Sequence, residues 1–544
     1  MFQNLTFRFL LLGLLACGTL PVLAQSWSSL FTQGQQALEK KDHPGAATLL
    51  EQALSAAEKE FTAQHPNYVK TLYALAETYK ALNEPKKERN CYLALINIKR
   101  DLKQERTVEF AKLLFNTALS YLQTKEYANA DNYFNQSLAL QRSLKQEETV
   151  DFVVTQHEYA RLFKSTNRLD KAASYYVPAF EQGAKLLGNK NPRLAEMASE
   201  MADLYAKMKN YSKANEFYLK WIELCKVQQI PEGQYYTAYY QLHVNHKSLN
   251  QPAESIRYGN AYVESVKKYN SDKLVEELDK VVKNFKEMNA YQAAAVLLPI
   301  KADALKTSYG EQSMEYGTAI GELATVEFHA GQQQKAIADL QKGIEIVNQS
   351  KKKPEHEATL VELMAQLASY LRQTGDKENT ETALHNTIEH AKKINDKQLL
   401  YARAIDSLAF YYHSTGQTAK ADSLFKLNIE VRRKNLTDKH PDYAMSLSNY
   451  ADFLLAQGKP EIAESLLKQA NAIDGAYYGR GSIEFTRSML KLADLAALRK
   501  NYPEALRLYR SILENQRKLQ GEQSPDYQAT LKKINELTAQ MSKK

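Results

Sequence analysis

The chain has 544 residues, with 71 Lys and Arg against 63 Asp and Glu and a formal net charge of +8. Gly (20) and Pro (14) are scarce, well under their usual shares of about 7% and about 5%, which excludes a turn-rich all-β chain, a collagen-like chain and a disordered Gly/Pro tract. The positive excess is scattered over doublets such as Lys86-Lys87, Lys267-Lys268 and Lys532-Lys533, too dilute for a nucleic-acid footprint, so no nucleic-acid partner is expected.

Residues Met1 to Ala24 have the three parts of a secretory leader: a start carrying Arg8, an apolar run from Phe9 to Cys17, and Val22-Leu23-Ala24 before Gln25. The run is too short for a bilayer span, which needs about 20 residues. The expected product is therefore cut after Ala24 and exported, to the periplasm or surface of a Gram-negative-type cell, without a transmembrane span. A competing site at Leu14-Leu15-Ala16-Cys17 would instead place a lipid anchor on Cys17. The remaining cysteines, Cys91 and Cys225, sit in apolar helical stretches far apart in sequence and are read as buried free thiols, since a disulfide needs Cα atoms about 4.4–6.8 Å apart.

From residue 28 onward a 42-residue period organises the chain. Small residues recur at Gly34, Ala76, Ala118, Ala160 and Ala202, and again at Ala409, Ala451 and Ala493, with weaker members at His243, Val282, Ala324 and Ala368. A second small residue follows about twelve positions later (Ala46, Ala130, Ala172, Ala214, Ala294, Ala336, Ala421, Ala463, Ala505), and a bulky one four beyond that, such as Leu50, Phe134, Tyr176 or Phe425. Leu114, Thr117, Ala118 and Tyr121 share one helix face, and Tyr127, Ala130, Asp131 and Phe134 share another. Each unit is thus a helical hairpin, in which a small residue on each helix lets the backbones approach and a bulky one fills the groove. Turns at Thr415-Gly416-Gln417 and Gln457-Gly458-Lys459 separate the helices, and prolines such as Pro66, Pro192, Pro441 and Pro525 stand where helices begin. Pro178 and Pro299 fall inside second helices and are expected to kink them.

This pattern resembles the tetratricopeptide repeat, in the 42-residue form of the kinesin light chain. The segment His440-Pro441-Asp442-Tyr443-Ala444 through Ser448-Asn449-Tyr450-Ala451, then Gln457-Gly458 and Ala463-Glu464, carries the likeness, and His65-Pro66-Asn67-Tyr68 and Ser524-Pro525-Asp526-Tyr527 repeat its opening. It departs at Glu88, where a small residue is expected, and over 229–290, where the spacing slips. The resemblance implies an all-α, right-handed α-solenoid of about twelve helix-turn-helix units with a C-terminal capping helix. The expected organisation is a signal peptide over 1–24, units one to five over 25–228, an irregular stretch over 229–290, further units over 291–524, and a cap with its tail over 525–544.

Motifs of catalysis are missing: no GxxxxGK[ST] phosphate loop, no His-Glu-x-x-His, no paired Cys-x-x-Cys and no Gly-x-Ser-x-Gly elbow. His243 and His246 are read as packing or surface residues rather than metal ligands, because no third ligand stands at matching spacing. No enzymatic activity, metal or cofactor is expected.

The resemblance further implies a concave face lined by first helices, with inward positions second, fifth, sixth, ninth and twelfth in each unit. These are Lys70, Tyr73 and Lys80 in unit two, Lys112, Phe115 and Asn116 in unit three, and His157, Arg161 and Lys164 in unit four. The strip could hold an extended or acidic peptide; alternatively, Glu196, Glu200 and Asp203 of unit five pair with its basic members. Asn116 and Asn449 occupy the sixth position, where related arrays set an asparagine against a ligand backbone. Tyr235, Tyr236, Tyr239 and Tyr240 cover more than one helix face and suit either core or partner anchoring. The leading expectation is an exported protein- or peptide-binding scaffold; the alternatives are a carbohydrate- or cell-wall-binding module and a regulatory subunit of a separately encoded enzyme.

Overall fold

The computed structural model describes residues 26–350, 354–394 and 399–542. The leader and the Cys17 anchor site lie outside the described residues, among which there are 25 α-helices, two short 3-10 turns and no strand. The chain divides into two compact units, Met1–Tyr258 and Gly259–Lys544.

The first unit runs through α1 (Trp27–Glu39), α2 (His43–Glu60), α3 (Pro66–Ala81), α4 (Pro85–Asp101), α5 (Val108–Gln123), α6 (Tyr127–Ser143), α7 (Val150–Ser165), α8 (Leu169–Leu187), α9 (Pro192–Lys207), α10 (Tyr211–Val227) and α11 (Thr237–Ser248). The boundary falls within α12 (Pro252–Tyr269). The second unit continues with α13 (Leu274–Glu287), α14 (Tyr291–Tyr309), α15 (Met314–His329), α16 (Gln333–Gln349), α17 (Pro354–Gln373), α18 (Lys377–Ala391), α19 (Leu399–Ser414), α20 (Thr418–Leu436), α21 (Pro441–Ala456), α22 (Pro460–Tyr477), α23 (Ile483–Leu498), α24 (Tyr502–Gln520) and α25 (Pro525–Ser542). Within each unit the helices pack chiefly on their sequence neighbours, as in a quasi-one-dimensional repeat stack.

The 42-residue period is a packing rule. Ala76, Ala118, Ala160, Ala202, Ala409, Ala451 and Ala493 are wholly buried, and so are Ala46, Ala130, Ala172, Ala214, Ala336, Ala421, Ala463 and Ala505. Leu50, Phe134, Tyr176 and Leu340 fill the spaces opposite them, also with no exposure. A close approach joins α15 and α16, where a Cβ on Gly343 would lie 2.8 Å from the Gly317 carbonyl oxygen and 3.2 Å from the Gly321 nitrogen.

Helix starts and stops have local causes. Thr107, Thr149, Ser313 and Ser482 accept hydrogen bonds from the third amide of the helix that follows, at 3.1–3.3 Å. The His-Pro openings work in the same way, with Nδ1 of His65 and His440 accepting from the Asn67 and Asp442 amides. First helices end in a residue of left-handed conformation, closed by paired bonds such as Lys125 N–H to Leu122 O and Glu126 N–H to Tyr121 O. Glycine serves at 416 and 458, but Lys41, Lys125, Asn167, Lys209 and Lys500 adopt the same positive φ.

Irregular places accommodate their residues without breaking the stack. Helices α8 and α14 run on past Pro178 and Pro299. Glu88, in a small-residue position, is buried at 5% exposure, and burial raises its carboxyl above the usual range. In the stretch that slips, α11 has only 12 residues. His243 fills its small position at zero exposure, with Nδ1 2.9 Å from both Ser255 Oγ and the Ser255 carbonyl oxygen. Tyr235 of the tyrosine cluster enters the core, while Tyr236, Tyr239 and Tyr240 are half-buried.

Replacing Gly343 by Ala should cost about 1–3 kcal/mol of stability, since a Cβ there meets backbone rather than a movable side chain. Chemical denaturation of the wild type and G343A checks this, with the exposed Gly481→Ala as a neutral control.

Candidate functional site

Of the nine candidate positions, the three on α7 are tied to the next unit, the five on α3 and α5 are more open, and Asn449 stands apart. On α7, His157 is 1% exposed and thus does not present its ring to solvent as the repeat register implies. Its Nε2 donates to Glu200 Oε2 at 3.0 Å, while Nδ1 makes no hydrogen bond and stands 3.9 Å from Glu158 Oε1. Arg161 donates to Glu200 Oε1 from Nε at 2.7 Å, and to Glu196 and Glu158 from its terminal nitrogens. Tyr176 of α8 donates to Glu200 Oε2 at 2.9 Å. Lys164 reaches the Glu200 carbonyl oxygen at 3.3 Å and stands 4.0 Å from Asp203. The reason is the repeat itself: α9 places Glu196, Glu200 and Asp203 one unit along, opposite the cations of α7.

Burial alone would raise the Glu200 carboxyl, but hydrogen bonds from His157 and Arg161, with their charges, lower it to about 2. Burial lowers the Lys164 ammonium below the usual lysine range, against the raising pull of Asp203 and Glu200. This cluster is a strut between consecutive first helices.

Helices α3 and α5 present the open set. Lys70 is exposed, its ammonium 5.0 Å from the centre of the Phe31 ring. Tyr73 is half-buried and donates to Glu109 Oε1 at 2.6 Å, while Lys99 holds Glu109 Oε2 at 2.7 Å. Lys112 is exposed, and Phe115 and Asn116 are half-buried. Lys112 and Phe115 line a cavity of about 50 Å³ between α5 and α7, with α6 beneath it. Asn449, on α21, is half-buried near the Asp406 carboxyl; it belongs to the second unit and is described apart from the others.

The second unit contains gaps of the same kind that the sequence candidates left out. Arg403 and Ser407 of α19, with Glu362 and Gln366 of α17, line a cavity of about 350 Å³. Arg487 and Leu490 of α23, with Thr530 and Lys533 of α25, line one of about 150 Å³. Counting the second position back from Ala409 and Ala493 identifies Arg403 and Arg487, so the signal lay in the same register. Lys491, by contrast, is tied to Ser448 and Asp452 at 2.8 and 2.6 Å.

Three further histidines have structural partners. His246 lies 2.6 Å from Gln251, His385 2.9 Å from the Tyr412 hydroxyl and His390 2.7 Å from Glu357. Cys91 and Cys225 are buried free thiols, and burial pushes Cys91 up to about 12. Among the described residues no three His, Cys, Asp or Glu are grouped to hold a metal, and no helix is long and apolar enough to cross a membrane.

A family model described as tetratricopeptide repeat matches residues 26–101 and 403–474, and a second model with that description matches 111–144. A search of curated proteins finds no match. Similar solved structures include a kinesin-light-chain-type protein of Podosopora anserina with nearly identical TPR-like repeats, at 19% identity and a TM-score of 0.33 over 37% of this chain and 96% of that one. BtubC (BKLC) of P. vanneervenii is 14% identical, with a TM-score of 0.34 over 45% of this chain and 93% of its own.

Because the Glu200 carboxyl is lower in the folded protein than its ordinary value of 4.5, its contribution to stability is full above about pH 4.5 and is lost as pH falls toward 2. The size is up to about 3 kcal/mol. E200Q should therefore lower stability at pH 7 and flatten the acid limb of a stability-against-pH curve. An unchanged acid limb would contradict the strut.

Proposed function

From a chain that carries tetratricopeptide repeats in an all-α repeat fold, we propose an exported scaffold that binds a protein or peptide along its first-helix faces and has no catalytic activity of its own. The observation that carries this reading is the contrast between adjacent first helices. Arg161 and Lys164 of α7 are met by carboxylates of α9, whereas Lys70 and Lys112 stand exposed beside Phe31 and Phe115. A partner with acidic and apolar groups would find its complement at the latter pair, and tetratricopeptide arrays generally mediate protein–protein contacts. Export is supported by the leader pattern over Met1–Ala24, and the lack of catalysis by the missing catalytic motifs in the sequence.

A carbohydrate-binding reading has one feature in its favour. Tyr477 and Tyr478 are 59% and 43% exposed, with ring centres 4.9 Å apart and planes nearly perpendicular. Perpendicular rings give a sugar one stacking face rather than a platform, so the peptide reading is preferred.

The double variant K70E/K112E should keep the wild-type unfolding temperature and lose at least about tenfold in affinity for the partner recovered from an envelope fraction, roughly 1.4 kcal/mol. The exposed Lys185→Glu makes a like charge change elsewhere and should retain it. Equal recovery by both variants would contradict the placement, and recovery of glycan sensitive to Tyr477→Ala would replace it. Intact mass of the exported protein should begin at Gln25.

A further inference from the structure

Two of the gaps between first helices are built alike, one in each compact unit. Val108, Lys112 and Phe115 of α5 line the first, and Ile483, Arg487 and Leu490 of α23 occupy the same register in the second. Across the gap, Asp151 and Thr155 of α7 correspond to Asp526 and Thr530 of α25. From beneath, the second helix contributes a glutamine to each: Gln141 on α6, 5% exposed, and Gln516 on α24, 7% exposed.

In both glutamines the buried side-chain oxygen Oε1 has no hydrogen-bond partner in the protein. Its orientation at Gln141 is dictated by neighbours. Thr155 Oγ1 already donates to the Asp151 carbonyl and Ser137 Oγ to the Ala111 carbonyl, both at 2.8 Å. Each hydroxyl can then only accept, so the amide nitrogen faces them at 2.9 and 3.3 Å and the oxygen is left over. A buried acceptor of this kind calls for a donor. The cavities, about 50 and 150 Å³, exceed the ~10–15 Å³ that one water needs.

Two other gaps in the same register are filled by the protein's own side chains, while the one between α17 and α19 stays open above Leu384 and Thr387 of α18. Between α19 and α21 the position of the glutamine is Arg432, 1% exposed, which donates to Asp406 Oδ2 at 2.9 Å and the Asp442 carbonyl at 2.7 Å. Between α7 and α9 it is Gly183, closed over by Val153 and Met197.

We propose that each glutamine-floored pocket receives a primary carboxamide, the side chain of an Asn or Gln in an extended acidic peptide. The carboxamide NH2 has two donors, one for the glutamine oxygen and one for Asp151 or Asp526. Its carbonyl accepts from Lys112 or Arg487, its stem lies on Val108 and Phe115 or Ile483 and Leu490, and acidic neighbours meet the exposed cation. The proposal deepens the peptide-binding reading and rests on it.

The test uses the leaderless chain and a positional-scanning library of acidic peptides carrying Asn, Gln, Leu or Asp at one site, with calorimetry of the selected peptide. Asn or Gln should be enriched, with two peptides bound per chain. Q141M and Q516M should each leave one site and the double variant none, with unfolding temperatures confirming that the chains are folded. D151N, at an exposed position, should weaken the first site about tenfold without disturbing the core. Retained affinity when Leu replaces Asn, or two sites surviving in both Met variants, overturns the carboxamide assignment while leaving peptide binding in place. Binding of no peptide by the wild type overturns the peptide-binding reading and this assignment together.

Discussion

Everything in the two units depends on how closely consecutive helices approach at the small positions. Ala118 against Ala130, Ala160 against Ala172 and Ala451 against Ala463 are wholly buried pairs, and only side chains of that size let two helices pack within reach of each other's backbones. Between Gly317 and Gly343 main chain meets main chain. Since the hairpin is closed by this contact, a large residue four positions along has one place to go, and Phe134, Tyr176 and Phe425 fill the adjoining groove. Stability is then a sum of neighbouring contacts, which leaves much of the outer face of a first helix to other uses.

That freedom is used unevenly. Consecutive first helices leave gaps between them, and at four of these one second-helix position accounts for whether the gap is closed. Arg432 closes it with a buried ion pair to Asp406, whose carboxyl burial raises despite the arginine. Gly183 lets Val153 and Met197 meet over it. On the outer face of α7 and α9 the Glu200 cluster adds a charged tie that stays ionised because its donors outweigh the cost of burial. Where the position holds Gln141 or Gln516 the gap stays open and its floor keeps an unused acceptor. The same fold therefore alternates rigid joints with receptive ones.

The packing rule was legible from residue identities, because a period of small residues has few other meanings, and the alanines it named are buried. The turns were half legible. Gly416 and Gly458 announce a left-handed residue, whereas Lys125 and Lys209 adopt it at a conformational cost that the closing hydrogen bonds offset. Among the candidate residues, register identified the helix face but not the partner: His157 and Glu200 are 43 positions apart and meet only when units stack. Gln141 carried no signal by itself, since its meaning comes from Thr155 and Ser137 fixing its amide. Only alignment with Gln516 in the second unit sets it apart from a core glutamine.

The central claim is that partners enter where the gap between first helices is left open and not where it is tied. Site-specific photo-crosslinking tests it most directly, with the probe at Lys112 or Arg487 for the open gaps and at Lys164 for the tied one. The account predicts a partner adduct from positions 112 and 487 and none from 164. Adducts of equal yield from 164, or adducts from 164 alone, would contradict it.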